Sequence, residues 1–210
     1  MNRQQLTTLI ESIRAGQITT EQALGKLSAL PFESLGFATI DHHRALRCGF
    51  AEVIFCPGKT TEQIVAIFDR LAATGANVLA TRADADAFHA VAAIHPKADY
   101  NVLARAITLR QQPARTGTGV IGIVSAGTSD LPVAEEARLT AEIMDQRTET
   151  FYDVGVAGLH RLLAHNARLR EMTVLVVAAG MEGALPSVVA GLVNSPVIAV
   201  PTSVGYGANL

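Results

Sequence analysis

A chain of 210 residues, 49% hydrophobic, 17% charged and lacking tryptophan, holds apolar material for one large domain or two small ones. The richness in Ala, Val, Ile and Leu suits buried parallel strands and their covering helices, and so few charges imply that some apolar surface meets another subunit. A formal net charge of −2 without a basic stripe excludes nucleic-acid and anionic-membrane footprints, and no apolar run of about 18 residues or N-terminal leader pattern is seen, so the expectation is a cytoplasmic protein.

Leu6, Leu9, Ile10 and Ile13 fall on one helical face that Gly16 ends, and Thr19 or Thr20 starts a second helix with Ala23, Leu24 and Leu27 inward. Gln22, three residues after Thr19, gives that start the form of a capping box, so the pair predicts a helical hairpin. A short apolar stretch at 37–40 follows, then the polar cluster Asp41-His42-His43-Arg44, read as extended, and a strand over 52–56. Cys56 closes that strand as a small core residue, while Cys48 stands beside Arg47; two cysteines at this spacing support neither a disulfide framework nor a zinc site. A helix from Thr60 or Thr61 carries Ile64, Ile67, Phe68 and Leu71 and ends by Gly75. A strand over 78–80, a helix over 83–94 closed by Pro96 and a strand over 102–109 complete a small α/β unit, residues 1–110.

Residues 111–119 are polar, contain Pro and Gly and lack periodicity, which marks a linker. Beyond it, strands over 120–124, 150–154, 174–178 and 197–200 alternate with helices over 132–144, 159–167 and 186–193. Buried strands alternating with helices predict a parallel sheet with right-handed crossovers in a second domain, residues 120–210.

Ligands in such sheets gather beyond the carboxyl ends of the strands, where three polar loops fall: 125–130, 180–183 and 202–207. In the first, Ser125, Gly127, Thr128 and Ser129 combine small residues with hydroxyls ahead of a helix N-terminus, which suits a nucleotide phosphate. Asp130 would repel phosphate, so it caps the helix or bonds ribose hydroxyls; a capped helix without ligand is the alternative. In the second, Glu182 is the sole ionisable group, between Met181 and Gly183 after an uncharged strand. Such an isolated carboxylate tends toward a raised pKa suited to proton transfer, the alternative being a surface carboxylate at a helix start.

Gly58-Lys59-Thr60 invites an ATPase phosphate-loop reading, but the glycine that motif needs five residues before Gly58 is replaced by Val53. Lys59 then either points at an anion or is solvated. His42 and His43, being adjacent on an extended segment, face opposite ways and do not make a metal site alone. His160 and Arg161 sit on a predicted helix, the position of a packed or solvated face.

Two stretches, Ala178-Ala179-Gly180-Met181-Glu182-Gly183-Ala184-Leu185-Pro186 and Ser195-Pro196-Val197-Ile198-Ala199-Val200-Pro201, resemble the mononucleotide-binding carboxylase family PurE, as does the serine–aspartate loop Ser125-Ala126-Gly127-Thr128-Ser129-Asp130. The variant Met181-Glu182-Gly183, together with Phe37-Ala38-Thr39-Ile40-Asp41-His42-His43-Arg44 and Glu52-Val53-Ile54-Phe55-Cys56-Pro57-Gly58-Lys59-Thr60, is instead similar to the LarB family, whose C-terminal half is PurE-like. This resemblance covers essentially the whole chain. It implies a PurE-like parallel-sheet C-terminal domain and a smaller N-terminal α/β domain. PurE's catalytic histidine follows the second strand, where Val154-Gly155-Val156-Ala157 stands here, which disfavours aminoimidazole ribotide chemistry.

The LarB resemblance implies synthesis of the nickel-pincer nucleotide cofactor used in lactate racemase maturation. The reaction would be carboxylation of the pyridinium ring of nicotinic acid adenine dinucleotide with carbon dioxide, then magnesium-dependent phosphoanhydride cleavage to pyridinium biscarboxylic acid mononucleotide and AMP. An electron-poor pyridinium does not attack carbon dioxide until a thiolate has added to it. Glu182 matches the family's acid/base glutamate. Ser125, Gly127, Thr128, Ser129 and Asp130, with Gly180, Met181 and Gly183, would hold the mononucleotide, and Asp41, His43, Arg44 and Lys59 are further candidates near the dinucleotide. The metal ligands are not assigned. The family's nucleophilic cysteine lies downstream of Gly205-Tyr206-Gly207-Ala208-Asn209, so the sequence as it stands is expected to bind nucleotide without carboxylating it. The resemblance also implies a homo-oligomer, an octamer in the PurE arrangement. The competing readings are a PurE-like purine ribotide carboxylase or mutase and a non-catalytic nucleotide-binding module.

Overall fold

The computed structural model describes residues 3–28, 32–42, 44–114 and 117–203. Packing divides the chain into two units, Met1–Tyr100 with Ile107–Gln112, and Asn101–Ala106 with Pro113–Leu210.

The first unit opens with the predicted helical hairpin, α1 (Arg3–Arg14) and α2 (Thr20–Ser28). The capping box forms as expected: Gln22 N–H donates to Thr19 Oγ1 at 3.1 Å, and Thr19 N–H donates to Gln22 Oε1 at 3.0 Å. Its inward face is narrower than predicted, with Leu9 and Ala23 buried but Ile10 and Leu24 exposed. A short antiparallel pair follows, β1 (Phe32–Ser34) and β2 (Thr39–Asp41), then the helix α3 (Arg44–Cys48). The polar cluster read as extended therefore straddles a strand end and a helix start. Arg44-Ala45-Leu46-Arg47 are all good helix formers, a signal that attention to the histidine pair obscured.

Next come β3 (Ile54–Phe55), α4 (Thr61–Ala72), β4 (Val78–Thr81), α5 (Ala85–Ile94), β5 (Asp99–Asn101) and β6 (Ala106–Leu109). Thr60 caps α4 with a second capping box through Gln63, and Asp84 caps α5. The strands form a sheet of order β3-β4-β6-β5, with β3 and β4 parallel and β4 and β6 antiparallel. The single strand predicted over 102–109 is instead a turn followed by β6. Val102 and Leu103 made it look continuous, although both are exposed on the turn. Ile64, Ile67, Phe68 and Leu71 of α4 pack with Ile54, Val78, Ile107 and Leu109, and Cys56 lies buried among them as expected.

The second unit is built on β7 (Val120–Ser125), β8 (Arg147–Phe151), β9 (Val174–Ala179) and β10 (Val197–Pro201), connected by α6 (Leu131–Ile143), by α7 (Leu159–Ala164) with α8 (Asn166–Leu169), and by α9 (Ala184–Leu192). All neighbouring strands are parallel, in the order β10-β9-β7-β8. The α/β class and parallel sheet agree with the sequence reading, but β8 begins three residues before the predicted strand. As an outer strand it carries Arg147, Thr148 and Glu149, which read as polar loop.

Alternation along the strands divides the core between the two faces of the sheet. Ile123 and Ala178 pack with Ala134 of α6 on one face. Val124, Leu175 and Val177 pack with Leu162, Leu169, Leu185 and Val189 of α7, α8 and α9 on the other. The chain leaves β7 toward β8 on one side and returns to β9 on the other. The winding thus reverses between β7 and β9, and in open α/β sheets ligands bind in the crevice such a reversal leaves. Among the described residues, no helix is long and apolar enough to cross a membrane.

Leu175, fully buried at the centre of this sheet, sets the scale of core stability. Urea unfolding should show Leu175→Ala destabilising by about 2–5 kcal/mol, whereas Ile198→Ala, half-exposed on β10, should cost less than about 1 kcal/mol.

Candidate functional site

The loops that leave the sheet at its carboxyl edge are fastened to one another. Ala126 N–H donates to the Ala178 carbonyl at 3.0 Å and Thr202 N–H to the Ala179 carbonyl at 3.1 Å, so the exits of β7 and β10 both anchor on β9. Asp130 completes the join. Its Oδ2 accepts from Gly127 N–H at 2.9 Å, and its Oδ1 accepts from the Thr202 hydroxyl at 2.6 Å. Both residues are almost wholly buried, and a buried carboxylate is tolerated when its oxygens are hydrogen-bonded. Asp130 thus closes the turn before α6.

Thr128 and Ser129 occupy the single 3₁₀ turn above that carboxylate and are exposed. Among the described residues neither hydroxyl has a partner, so both are open to a ligand. Ser125 lies beneath them, fully buried, with its Oγ accepting from Asp153 N–H at 3.3 Å. Of the predicted phosphate residues, Thr128 and Ser129 face solvent, whereas the side chains of Ser125 and Asp130 are engaged in holding the loop.

At the exit of β9, Gly183 N–H donates to the Gly180 carbonyl at 2.9 Å and closes a tight turn over Gly180, Met181, Glu182 and Gly183. Met181 adopts φ 51° and Gly183 φ 61°, the left-handed region. The turn projects Glu182 into solvent. Of the two alternatives for Glu182, the surface carboxylate is the one the structure shows, because it stands at the turn's tip rather than against the strand.

A fourth loop was not recognised from sequence. After β8, Val154 N–H donates to the Ser125 carbonyl at 3.1 Å and Gly155 N–H to the Ala126 carbonyl at 2.8 Å. A Cβ at Gly155 would lie 2.7 Å from the Ala126 oxygen, so only glycine fits. A glycine just past a strand end was the available signal. Asp153, at φ 56°, pairs with Arg161 of α7. Beside it Tyr152 donates its hydroxyl to Glu135 Oε1 at 2.5 Å, while Arg138 grips the same carboxylate with two hydrogen bonds and Asn101 Nδ2 donates at 3.1 Å. The Arg138 guanidinium holds the Glu135 carboxyl below its ordinary value against the opposing effect of burial, with Tyr152 and Asn101 assisting. Burial first, then the Glu135 carboxylate, pushes the Tyr152 phenol up.

The candidates of the first unit are engaged locally. Asp41 pairs with Arg47 at 2.7 Å and its N–H donates to Glu52 Oε2 at 2.9 Å. Lys59 Nζ donates to the Phe55 carbonyl at 2.7 Å, folding back on its own strand. The Arg44 guanidinium lies 5.8 Å from the Phe50 ring centroid, with its Nε buried and unbonded. His43 lies outside the described residues. Cys48 is exposed. Among the described residues no group of three acidic, histidine or cysteine side chains is arranged to hold a metal.

Comparison with known proteins matches residues 32–112 to the LarB/PurE-like N-terminal domain and residues 120–208 to the AIR carboxylase family. An uncharacterised protein of Methanocaldococcus jannaschii is 35% identical over 98% of this chain and 84% of its own length. N5-carboxyaminoimidazole ribonucleotide mutases of Thermotoga maritima and Pyrococcus abyssi are each 34% identical, over 39% and 41% of this chain and 48% and 51% of their own lengths.

Two measurements probe the site's framework. Gly155→Ala should lower stability by about 1–3 kcal/mol, read by chemical denaturation, because the Ala126 backbone has to move. Glu135 has a folded pKa below its ordinary value of 4.5, so its contribution is fully present above that pH and lost as pH falls through the folded value. Thermal melts below pH 4.5 should therefore show a steeper loss of stability in the wild type than in Glu135→Gln.

Proposed function

We propose a function from one premise: the chain belongs to the LarB family, a carboxylase/mutase-like family of enzymes. The proposed reaction is carboxylation of the pyridinium ring of nicotinic acid adenine dinucleotide with carbon dioxide, followed by hydrolysis of its phosphoanhydride. The products are pyridinium biscarboxylic acid mononucleotide and AMP, used in nickel-pincer cofactor synthesis. One observation carries this reading. The unpartnered Thr128 and Ser129 hydroxyls and the Glu182 turn leave adjacent strands, β7 and β9, on either side of the winding reversal.

In this reading Thr128, Ser129 and the first amides of α6 bind the mononucleotide phosphate, with Asp130 and Gly127 fixing the loop around it. Met181 presents an apolar side chain to the ring beside them. Glu182, exposed at the tip of its turn, takes the ring proton as aromaticity returns. In this reading neither Cys48 nor Cys56 provides the thiolate that activates the ring, since neither stands in the family's cysteine motif and Cys56 is buried. Magnesium, when bound, would supply charge neutralisation for the phosphoanhydride cleavage. A symmetric assembly belongs to the same proposal, and half-exposed Ile198 on β10 offers apolar surface for it.

The mutase relatives favour one alternative, a purine ribotide as substrate, against which Val156 stands in place of the expected histidine. Calorimetry with nicotinic acid adenine dinucleotide, NAD and aminoimidazole ribotide distinguishes these readings. Tightest binding of the acid dinucleotide is expected, with Thr128→Ala/Ser129→Ala weakening it about tenfold or more through lost phosphate hydrogen bonds. Preference for the ribotide replaces this reading with the mutase one, and equal binding of all three makes the site a nucleotide-binding module.

A further inference from the structure

We propose that the carboxyl ends of β3 and β4, in the first unit, form an adenylate site. Phe55 is its stacking surface, and Arg82 and Lys59 are its phosphate-side cations. The choice of adenylate among planar anions rests on the reaction proposed above.

β3 and β4 are parallel, with Phe55 opposite Thr81, so the chain leaves both strands at one edge, where α/β sheets take their ligands. Alternation sends Ile54 into the core and Phe55 outward, and β3 is an outer strand of its sheet. Phe55 is half-exposed, although an aromatic ring is among the largest apolar surfaces a side chain can bury. The exposed Arg82 guanidinium stands 5.4 Å from its centroid, a cation–π pair open to solvent. Arg82 reaches this place from left-handed backbone at φ 55°, a conformation that long side chains avoid. Strain of this kind gathers where ligands are gripped. The bend is held from behind: Ala83 is fully buried and its carbonyl accepts from the Tyr100 hydroxyl at 3.1 Å, while Asp84 accepts from Ala87 N–H at 2.8 Å.

After β3, Pro57 and Gly58, the latter at φ 80°, make a tight turn closed by Lys59 N–H on the Cys56 carbonyl at 3.0 Å. That turn returns Lys59 Nζ to the Phe55 carbonyl at 2.7 Å, on the backbone of the residue that carries the ring. An ammonium has three donors, and among the described residues the other two have no acceptor. An exposed ring, a guanidinium and an ammonium in one place suit a planar base bearing a phosphate, the ring taking the base and the cations the charge. The chain's net charge of −2 and lack of a basic stripe make the ligand a mononucleotide rather than a polymer. Of the dinucleotide's two halves, one carries a pyridinium cation that Arg82 and Lys59 repel, whereas the adenine of the other is neutral. Adenylate is the half that this edge accepts.

Calorimetry of the full chain with AMP, adenosine and nicotinic acid mononucleotide separates the base from the phosphate and one half from the other. Phe55→Leu, which keeps apolar bulk without a ring, should weaken AMP and adenosine alike, by about tenfold. Lys59→Gln should weaken AMP about fivefold and leave adenosine unchanged, since only the phosphate meets the ammonium. Neither should alter binding of nicotinic acid mononucleotide, and Thr128→Ala/Ser129→Ala should leave AMP unchanged. Circular dichroism melts accompany each variant, and Lys59→Gln, on a surface turn, serves if Phe55→Leu fails to fold. Absence of AMP binding by the wild type, or wild-type AMP affinity in both variants, overturns this inference and leaves the reading of the Thr128–Ser129 turn intact. Equal weakening of AMP and nicotinic acid mononucleotide by Phe55→Leu also overturns it, because the ring then does not choose adenylate. Nicotinic acid mononucleotide binding that ignores Thr128 and Ser129, while AMP still depends on Phe55, removes that earlier reading and supports the adenylate site.

Discussion

The carboxylate of Asp130 lies buried at the carboxyl edge of the parallel sheet, with one oxygen on the Gly127 amide and the other on the Thr202 hydroxyl. Those bonds tie the exit of β7 to that of β10, across the strand that separates them in the sheet. They add side-chain ties to the backbone bonds by which Ala126 and Thr202 already anchor both exits on β9. Because the charge is buried, each oxygen must stay bonded; a carboxylate left half satisfied there would be expelled and carry the loop with it. The site's geometry therefore depends on a residue that need not touch a substrate.

Around this anchor the construction is layered. Gly155 approaches the Ala126 carbonyl so closely that the exits of β7 and β8 behave as one piece, and the Glu135 cluster pins Tyr152 immediately before it. The hydrophobic core fixes the strands, the strands fix four neighbouring exits, and side-chain bonds between exits fix the site. The turn tips, with Thr128, Ser129, Met181 and Glu182, are left to solvent.

Much of this was legible in the chain. Hydroxyl-bearing small residues after an unbroken apolar strand marked the loop at 125–130, and two glycines around Glu182 marked its turn, because both signals are local. Signals that depend on partners far along the chain were not. Thr202 meets Asp130 across 72 positions, and nothing near either residue foretold the contact. Gly155 looked like one more loop glycine until the Ala126 oxygen was found against it. The edge strand β8 hid behind its half-solvated Arg-Thr-Glu pattern, and the turn between β5 and β6 hid behind the apolar pair Val102 and Leu103. Glu182 stayed open between a desolvated and a surface carboxylate, because chain neighbours do not reveal which way a turn projects.

Two residues at this edge, Asp153 and Met181, hold left-handed backbone although neither is glycine, a conformation costing Met181 roughly 1–2 kcal/mol and Asp153, with its short polar side chain, less. Glycine at either place would relieve that cost and erase the side chain. Selection for heat resistance alone would thus drift toward a sturdier molecule that lacks both side chains. A sequence drawn for ruggedness alone would therefore replace these two side chains before others at this edge.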